Sequence, residues 1–559
     1  MKFQARVGLM GGRLFFAAPL VAQKFLLERK SRPLRRLPIV ELDFLEFEAE
    51  RIVPGRGPRQ PPPGSPGGGP VRSASRARSH SRSKSRKSVS AGGNRAPGKG
   101  TFGTRAPPRV DPGARCLHWG RPRIAPTHSS VDKLIIEGGA TLSGEVATAG
   151  AKNAVLPVMA ASLLTSEPLR IRNAPQLSDL STMCKVLEDL GCETRREPDG
   201  SVFLHSKKPT TFRAGWEHVR KMRGSVCVLG PLLARTGRAE VSLPGGCVFG
   251  VRPIDAHLKG FEGLGAKVRI EHGYVIAEAP PKGLVGAELF IGTAFGSSVL
   301  GTANVLMAAC LAKGKSVLNG AACEPEIVDL CETLLAMGAK ISGLGSPRLV
   351  VEGVEQLGGA EVSVIPDRIE AGTYVIAGAM TGGRVRVTGC RPEHLSVLIE
   401  RLRDAHVPIE IGEDWIETQP YEPRDRAEGL RSTDVTTLPF PGFPTDLQAQ
   451  WMSLMTMADG ISVITERIYP DRYMHLPELQ RLGAQIRREG SAAIVRGTPR
   501  LSGAQVTASD LRASAALVLA GLVAEGETEI HRVYHIDRGY ERIEERLGPL
   551  GAKIRRVQE

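Results

Sequence analysis

The strongest constraint on the fold is a unit of roughly 70 residues that recurs six times between residues 131 and 559. In five copies an apolar helical stretch ends in Leu-Gly-Ala-Lys or a relative and runs into alternating apolar and polar residues. These are Leu190-Gly191-Cys192-Glu193, Leu264-Gly265-Ala266-Lys267, Met337-Gly338-Ala339-Lys340, Leu482-Gly483-Ala484-Gln485 and Leu550-Gly551-Ala552-Lys553. A degenerate copy stands at Ala405-His406-Val407-Pro408, and successive copies lie 74, 73, 68, 77 and 68 residues apart. Glycine at the end of a helix reaches the left-handed conformation without a Cβ clash, so each ending predicts a helix C-cap followed by a strand. His406 departs from that chemistry.

A second pattern interleaves with the first. Small-residue helices run through a short turn into a strand at AASLLTSEPLRI, LLARTGRAEVSL, AACLAKGKSVLN, AGAMTGGRVRVT, LMTMADGISVIT and GLVAEGETEIHR. Each unit therefore reads strand, helix, strand, helix, hairpin, a repeat architecture of α/β class. The helices are rich in Ala, Gly and Leu on most faces, as over Ala513–Leu522, which predicts helices packed inside and sheets outside. Two sets of three units make two similar lobes with a cleft between them, where ligands usually bind.

Charge separates the repeats from what precedes them. Residues 1–130 carry 26 Lys and Arg against 7 Asp and Glu, whereas residues 131–559 carry 48 against 52. The net charge of +15 thus belongs to the first segment, and a nucleic-acid role for the folded part has no electrostatic support. That segment also holds 16 of the 40 prolines and the Arg/Ser tract Arg72–Ser90, a composition that predicts disorder. An RNA-binding tract, a weak presequence around Leu14–Ala22 and a disordered tail compete with an over-extended gene start, which we prefer; Val131 is the natural opening of the globular chain. Nine cysteines without a CxxC pair read as reduced thiols in a cytosolic setting, and no apolar run approaches 18 residues.

Four constellations exceed what a core requires. Lys152-Asn153 after Gly150-Ala151 opens an apolar helix and can hold an anion, though taken alone the segment favours a solvated lysine beside a cap. The stretch Leu243–Pro253 has three glycines and two prolines, with Cys247 at the tip of a surface loop and Arg252 nearby, the setting of a reactive thiol. Pro439–Pro444 stiffens the approach to Asp446, which either serves chemistry or caps the helix expected over Leu447–Ala458. Arg223, Arg368, Arg472, Arg512 and Arg538 recur at comparable places in different units and suggest an anion-binding cleft. P-loop, GxGxxG, HExxH and GxSxG motifs are absent.

Together GAKNA, LPGGC-x-x-G-x-RP, EPEIVD, PDRIE, FPTD, Asp471–His475, LSGAQV, DLRAS and YHIDRGYERIE resemble the UDP-N-acetylglucosamine 1-carboxyvinyltransferases over residues 131–559. The resemblance implies two inside-out α/β barrels of three units each, one from residues 152–365 and one from 131–151 with 366–559. It implies transfer of enolpyruvyl from phosphoenolpyruvate to the 3-hydroxyl of UDP-N-acetylglucosamine, the committed step of cell-wall precursor synthesis in the bacterial cytoplasm. No metal, organic cofactor, membrane or obligate protein partner is implied. It assigns phosphoenolpyruvate to Lys152, Asn153, Arg252 and Arg538, and the sugar nucleotide to Asn153, Arg223, Arg252, Pro253, Ile254, Asp255, Ala256, Ser298, Val299, Asp446 and Ile468. Cys247 would be the general acid and the target of fosfomycin, Asp446 the base, with Arg368, Arg472, Asp510 and Arg512 in support. Leu300 replaces a usual glycine, Gly296 stands where some members carry lysine, and Phe249 replaces a commoner isoleucine. 3-Phosphoshikimate 1-carboxyvinyltransferase is the nearest alternative, and a non-catalytic UDP-sugar-binding regulator the other.

Overall fold

The structure, a computed structural model, describes residues 132–245, 254–425 and 427–558, with two short strands near the N-terminus. The chain divides into two units, Met1–His118 and Trp119–Glu559. In the first, Gly8–Met10 pairs antiparallel with Arg13–Phe15. The readings made for the rest of residues 1–130, and those for Cys247, Arg252 and Pro253, lie outside the described residues.

Within the second unit each repeat builds one four-stranded sheet by the same route. Arg213–Ala214 runs parallel to Arg238–Ser242 across the intervening helices, and the hairpin Lys267–Glu271/Tyr274–Glu278 then adds antiparallel. Six such sheets occur among the described residues. Three are completed by distant segments, the first by Gly144–Ala147, which lies parallel to Val385–Thr388. Ala360–Ser363 lies parallel to Pro168–Arg172, and Asp132–Glu137 lies between Glu527–His531 and Lys553–Gln558.

The helices are inside, as their composition predicts. Ala513–Val523 buries ten of its 11 residues, and Gln448–Met455 buries all eight, while strands such as Pro168–Arg172 alternate buried and exposed positions. Small residues allow this because neighbouring helices touch backbone to backbone. A Cβ on Gly230 would stand 2.2 Å from the carbonyl oxygen of Asn304 on the adjacent helix. Two apolar clusters result, one drawn from residues 151–365 and one from 134–146 together with 369–552. No helix among the described residues is long and apolar enough to cross a membrane.

The C-caps follow the repeat. Gly191, Gly265, Gly338, Gly483 and Gly551 have φ of 89°, 91°, 96°, 90° and 102°, and His406 also adopts φ 63°. The degenerate fourth unit thus keeps the conformation and lacks only the residue that favours it. One helix differs from expectation. Thr445–Leu447 is a 3-10 turn and the α-helix runs only over Gln448–Met455, with Leu447 at its N-cap. Asp446 makes no capping bond there, so its reading as a helix cap is corrected.

Candidate active site

A cavity of about 490 Å³ opens between the two apolar clusters, lined by residues of both. Lys152 is the first residue of helix Lys152–Ala161 and is only 5% exposed. Its Nζ lies 2.7 Å from Asp179 Oδ2, on helix Ser178–Asp189. Arg538 Nε donates to the other oxygen of Asp179 at 2.9 Å, so one carboxylate joins two cations from distant parts of the chain. Burial drives the Lys152 ammonium below its ordinary pKa, with Arg512 and Arg538 adding to the effect and Asp179 opposing it. Burial works to raise Asp179, but Lys152 and Arg538 prevail and hold it below the usual carboxylate range.

Asp446 stands on the same wall. Asn153 Nδ2 donates to its Oδ2 at 3.2 Å and Arg472 Nη1 to its Oδ1 at 2.6 Å. Arg472 Nη1 also donates to Thr445 Oγ1, and Nη2 to Asp510 Oδ1, both at 3.2 Å. The proline-stiffened loop ahead of Asp446 is fastened by buried Glu466, which accepts the hydroxyls of Thr437 and Thr445 and the backbone N–H of Ile468 and Tyr469. One carboxylate therefore sets both Asp446 and Ile468 in the cavity wall.

Arg368 forms a two-pronged bond to Glu326, at 2.9 and 3.3 Å, and faces the Phe440 ring at 5.6 Å. The Phe440 N–H donates to Glu324, whose carboxyl is pushed up by burial and by its neighbour Glu326. Arg512 lies behind the wall, donating to Asp367 and to the Gly539 carbonyl. Asp367 caps helix Arg368–Thr381 through the N–H groups of Ile369 and Glu370 and accepts the Lys152 N–H at 3.2 Å. Lys152, the cap of a helix in the other cluster and Arg512 are thereby locked together.

At the far end Arg223 lines the cavity beside His257. Burial, reinforced by Arg223, takes His257 down to about 3, so the ring is neutral and its Nδ1 accepts from Asn304 Nδ2 at 2.9 Å. Ser298 caps helix Val299–Cys310 by accepting the Gly301 N–H, which leaves its own O–H to donate into the cavity.

The structure thus brings together in one cavity Lys152, Asn153, Arg223, Ser298, Val299, Arg368, Asp446, Ile468, Arg472 and Arg538. Asp510 and Arg512 stand one layer back. Ile254 and Ala256 are buried and Asp255 is exposed at the start of helix Asp255–Gly263, and none of the three lines the cavity. Sequence reading missed Asp179, Glu326, Asp367 and Glu466. Glu326 and Asp367 fall within motifs already singled out, whereas Asp179 and Glu466 carry no local mark that separates them from solvated acids.

Residues 136–547 match the EPSP synthase (3-phosphoshikimate 1-carboxyvinyltransferase) family. A UDP-N-acetylglucosamine 1-carboxyvinyltransferase of Anaeromyxobacter sp. (strain Fw109-5) is 52% identical over 431 residues, covering 76% of this chain and 99% of the relative. The enolpyruvyl transferase NikO from Streptomyces tendae superposes with a TM-score of 0.68 at 25% identity, covering 77% of this chain and 100% of NikO. An EPSP synthase from Acinetobacter baumannii has the same fold at 16% identity, with a TM-score of 0.58 over 77% of this chain and 100% of its own.

Proposed function

The chain belongs to the EPSP synthase family, and on that premise we propose that it transfers enolpyruvyl from phosphoenolpyruvate to the 3-hydroxyl of UDP-N-acetylglucosamine, releasing phosphate. The observation that carries this reading is the placement of Asp446, between Asn153 and Arg472, in the same cavity as the Lys152–Asp179–Arg538 cluster. Lys152 and Arg538, with Arg252, would bind the carboxylate and phosphate of the donor, and Asn153 would orient it. Arg223, Ser298, Val299 and Ile468, with Arg252, would hold the sugar nucleotide. The 52% identity over nearly the whole of a UDP-N-acetylglucosamine enzyme supports this acceptor over shikimate 3-phosphate.

Addition to an enol phosphate develops positive charge at the substituted carbon as a proton reaches the methylene, and phosphate later leaves as that proton departs. The step needs an acid on one side, a base for the attacking hydroxyl on the other, and fixed cations for a polyanionic donor. Asp446 would take the hydroxyl proton, Arg472 and Asn153 holding its two oxygens in place. Cys247 would supply the proton to the methylene. Such an enzyme serves peptidoglycan synthesis in the cytoplasm, and through it cell shape and division.

Phosphate release measured with each acceptor tests the reading. Turnover with UDP-N-acetylglucosamine is expected, and activity with shikimate 3-phosphate alone would overturn it. Thiol mapping tests the acid. The seven described cysteines are free, and burial raises the pKa of every one, Cys192 and Cys390 to about 11 and Cys227 and Cys331 to about 12. Brief exposure to fosfomycin should therefore modify Cys247 ahead of those seven, faster with the sugar nucleotide present; label spread among them would remove Cys247 from the role.

A further inference from the structure

His475 closes the motif Asp471–His475 and is 1% exposed, yet neither ring nitrogen has a hydrogen-bond partner among the described residues. Asp510 is 4% exposed and presents the complementary defect. Its Oδ1 accepts Arg472 Nη2, the Arg512 N–H and the Ala513 N–H, while its Oδ2 is buried with no partner. The two residues flank elements that pack together. Helix Leu476–Arg481, which His475 precedes, lies against helix Ala513–Val523, whose first N–H, that of Ala513, donates to Asp510, and Asp510 and Arg472 are the charged groups that act on the imidazole. A neutral imidazole always carries one N–H donor, and a carboxylate oxygen buried without a donor is costly.

We propose that His475 is a positioning residue, whose imidazole donates to Asp510 Oδ2 through one buried water, and so keeps Arg472 aligned on Asp446. The alignment matters because Arg472 divides its guanidinium between the two carboxylates, with Nη1 on Asp446 and Nη2 on Asp510. If Asp510 rotates to satisfy its second oxygen elsewhere, the fork loses one anchor and Asp446 loses its register. Charge sharpens the choice of residue. Burial takes His475 down to about 4 despite Asp510, with Arg472 reinforcing the effect. At neutral pH the ring thus adds a donor without adding a cation that would compete with Arg472 for Asp510. The effect on turnover rests on the reading of Asp446 as the base; the bond itself does not.

The test compares His475→Leu, which fills the space without a donor, with His475→Gln, which restores one. His475→Leu should keep the fold and lower kcat by about tenfold or more, with KM for either substrate changed less. Loss of a donor to the ionised Asp510 raises its pKa, so the acid limb of the kcat profile should move up. His475→Gln should recover most of kcat and the wild-type limb. A folded His475→Leu with wild-type kcat, or a folded His475→Gln as inactive as Leu, overturns the proposal. Should His475→Leu not fold, the Gln variant decides alone. Imidazole 15N shifts of the intact wild-type protein read the bond apart from turnover. A single neutral tautomer with a protected N–H between about pH 5.5 and 8 is expected, and rapid tautomer averaging overturns the bond. Absence of wild-type turnover would sink the functional reading and leave this measurement intact.

Discussion

With Lys152 Nζ 2.7 Å from one oxygen of Asp179 and Arg538 Nε 2.9 Å from the other, Asp179→Asn would leave two cations facing a neutral amide in a nearly buried site. Removing one member of a buried ionic cluster destabilises by about 3–5 kcal/mol, so the variant should unfold at markedly lower denaturant. Phosphoenolpyruvate, as the missing anion, should recover more stability in the variant than in wild type, and equal shifts in the melting midpoint would argue against shared binding by Lys152 and Arg538. Glu370 gives the opposite pH behaviour. Burial, with Asp367 nearby, raises it to about 7 even though the Ala149 N–H and the Tyr374 hydroxyl donate to it. The folded state therefore holds a proton that the unfolded chain releases above about 4.3, and stability falls as pH climbs from there to about 7. Glu370→Gln should accordingly raise the melting temperature at about pH 8 and change little near pH 4.5. A pH-independent difference would show that the carboxyl is ionised throughout.

At the scale of elements, six helix ends take the same left-handed turn, five with glycine and one with His406 at φ 63°. A side chain in that conformation is disfavoured by about 1–2 kcal/mol. His406 is exposed, so His406→Gly removes strain without opening a cavity, while glycine loosens the unfolded chain. A net gain of about 0.5–1 kcal/mol is expected in chemical denaturation, and a loss would mean that the ring makes a stabilising contact. The turn was legible because residue type and spacing are local properties. The start of helix Gln448–Met455 was not. Asp446 looks like a cap in sequence, but Arg472, 26 residues on, and Asn153, 293 residues back, claim both of its oxygens. A distant cation and amide outcompete the local backbone for that carboxylate.

At the scale of the molecule, strand Asp132–Glu137 sits in the middle of the sheet that also holds the C-terminal strand, with Leu134 and Ile136 fully buried. The charge break at residue 131 and the position of this strand motivate a pair of truncations on either side of it. Deleting residues 1–130 should leave turnover and melting temperature nearly unchanged. Deleting eight residues more, through Gly138, removes a central strand and two core side chains worth about 1.5–3 kcal/mol each, and should abolish cooperative melting. A short truncation that fails to fold would make the basic segment structural. The repeat, its glycine turns and its small-residue helices were sufficient to predict helices inside and sheets outside, because periodicity and backbone preference act over a few residues. The motifs likewise nominated Lys152, Asp446 and Arg538. Which carboxylates would meet those cations was settled only by the way the two halves come together. Asp179 and Arg538 are 359 residues apart, and pairing at that separation depends on packing and desolvation that no local pattern encodes.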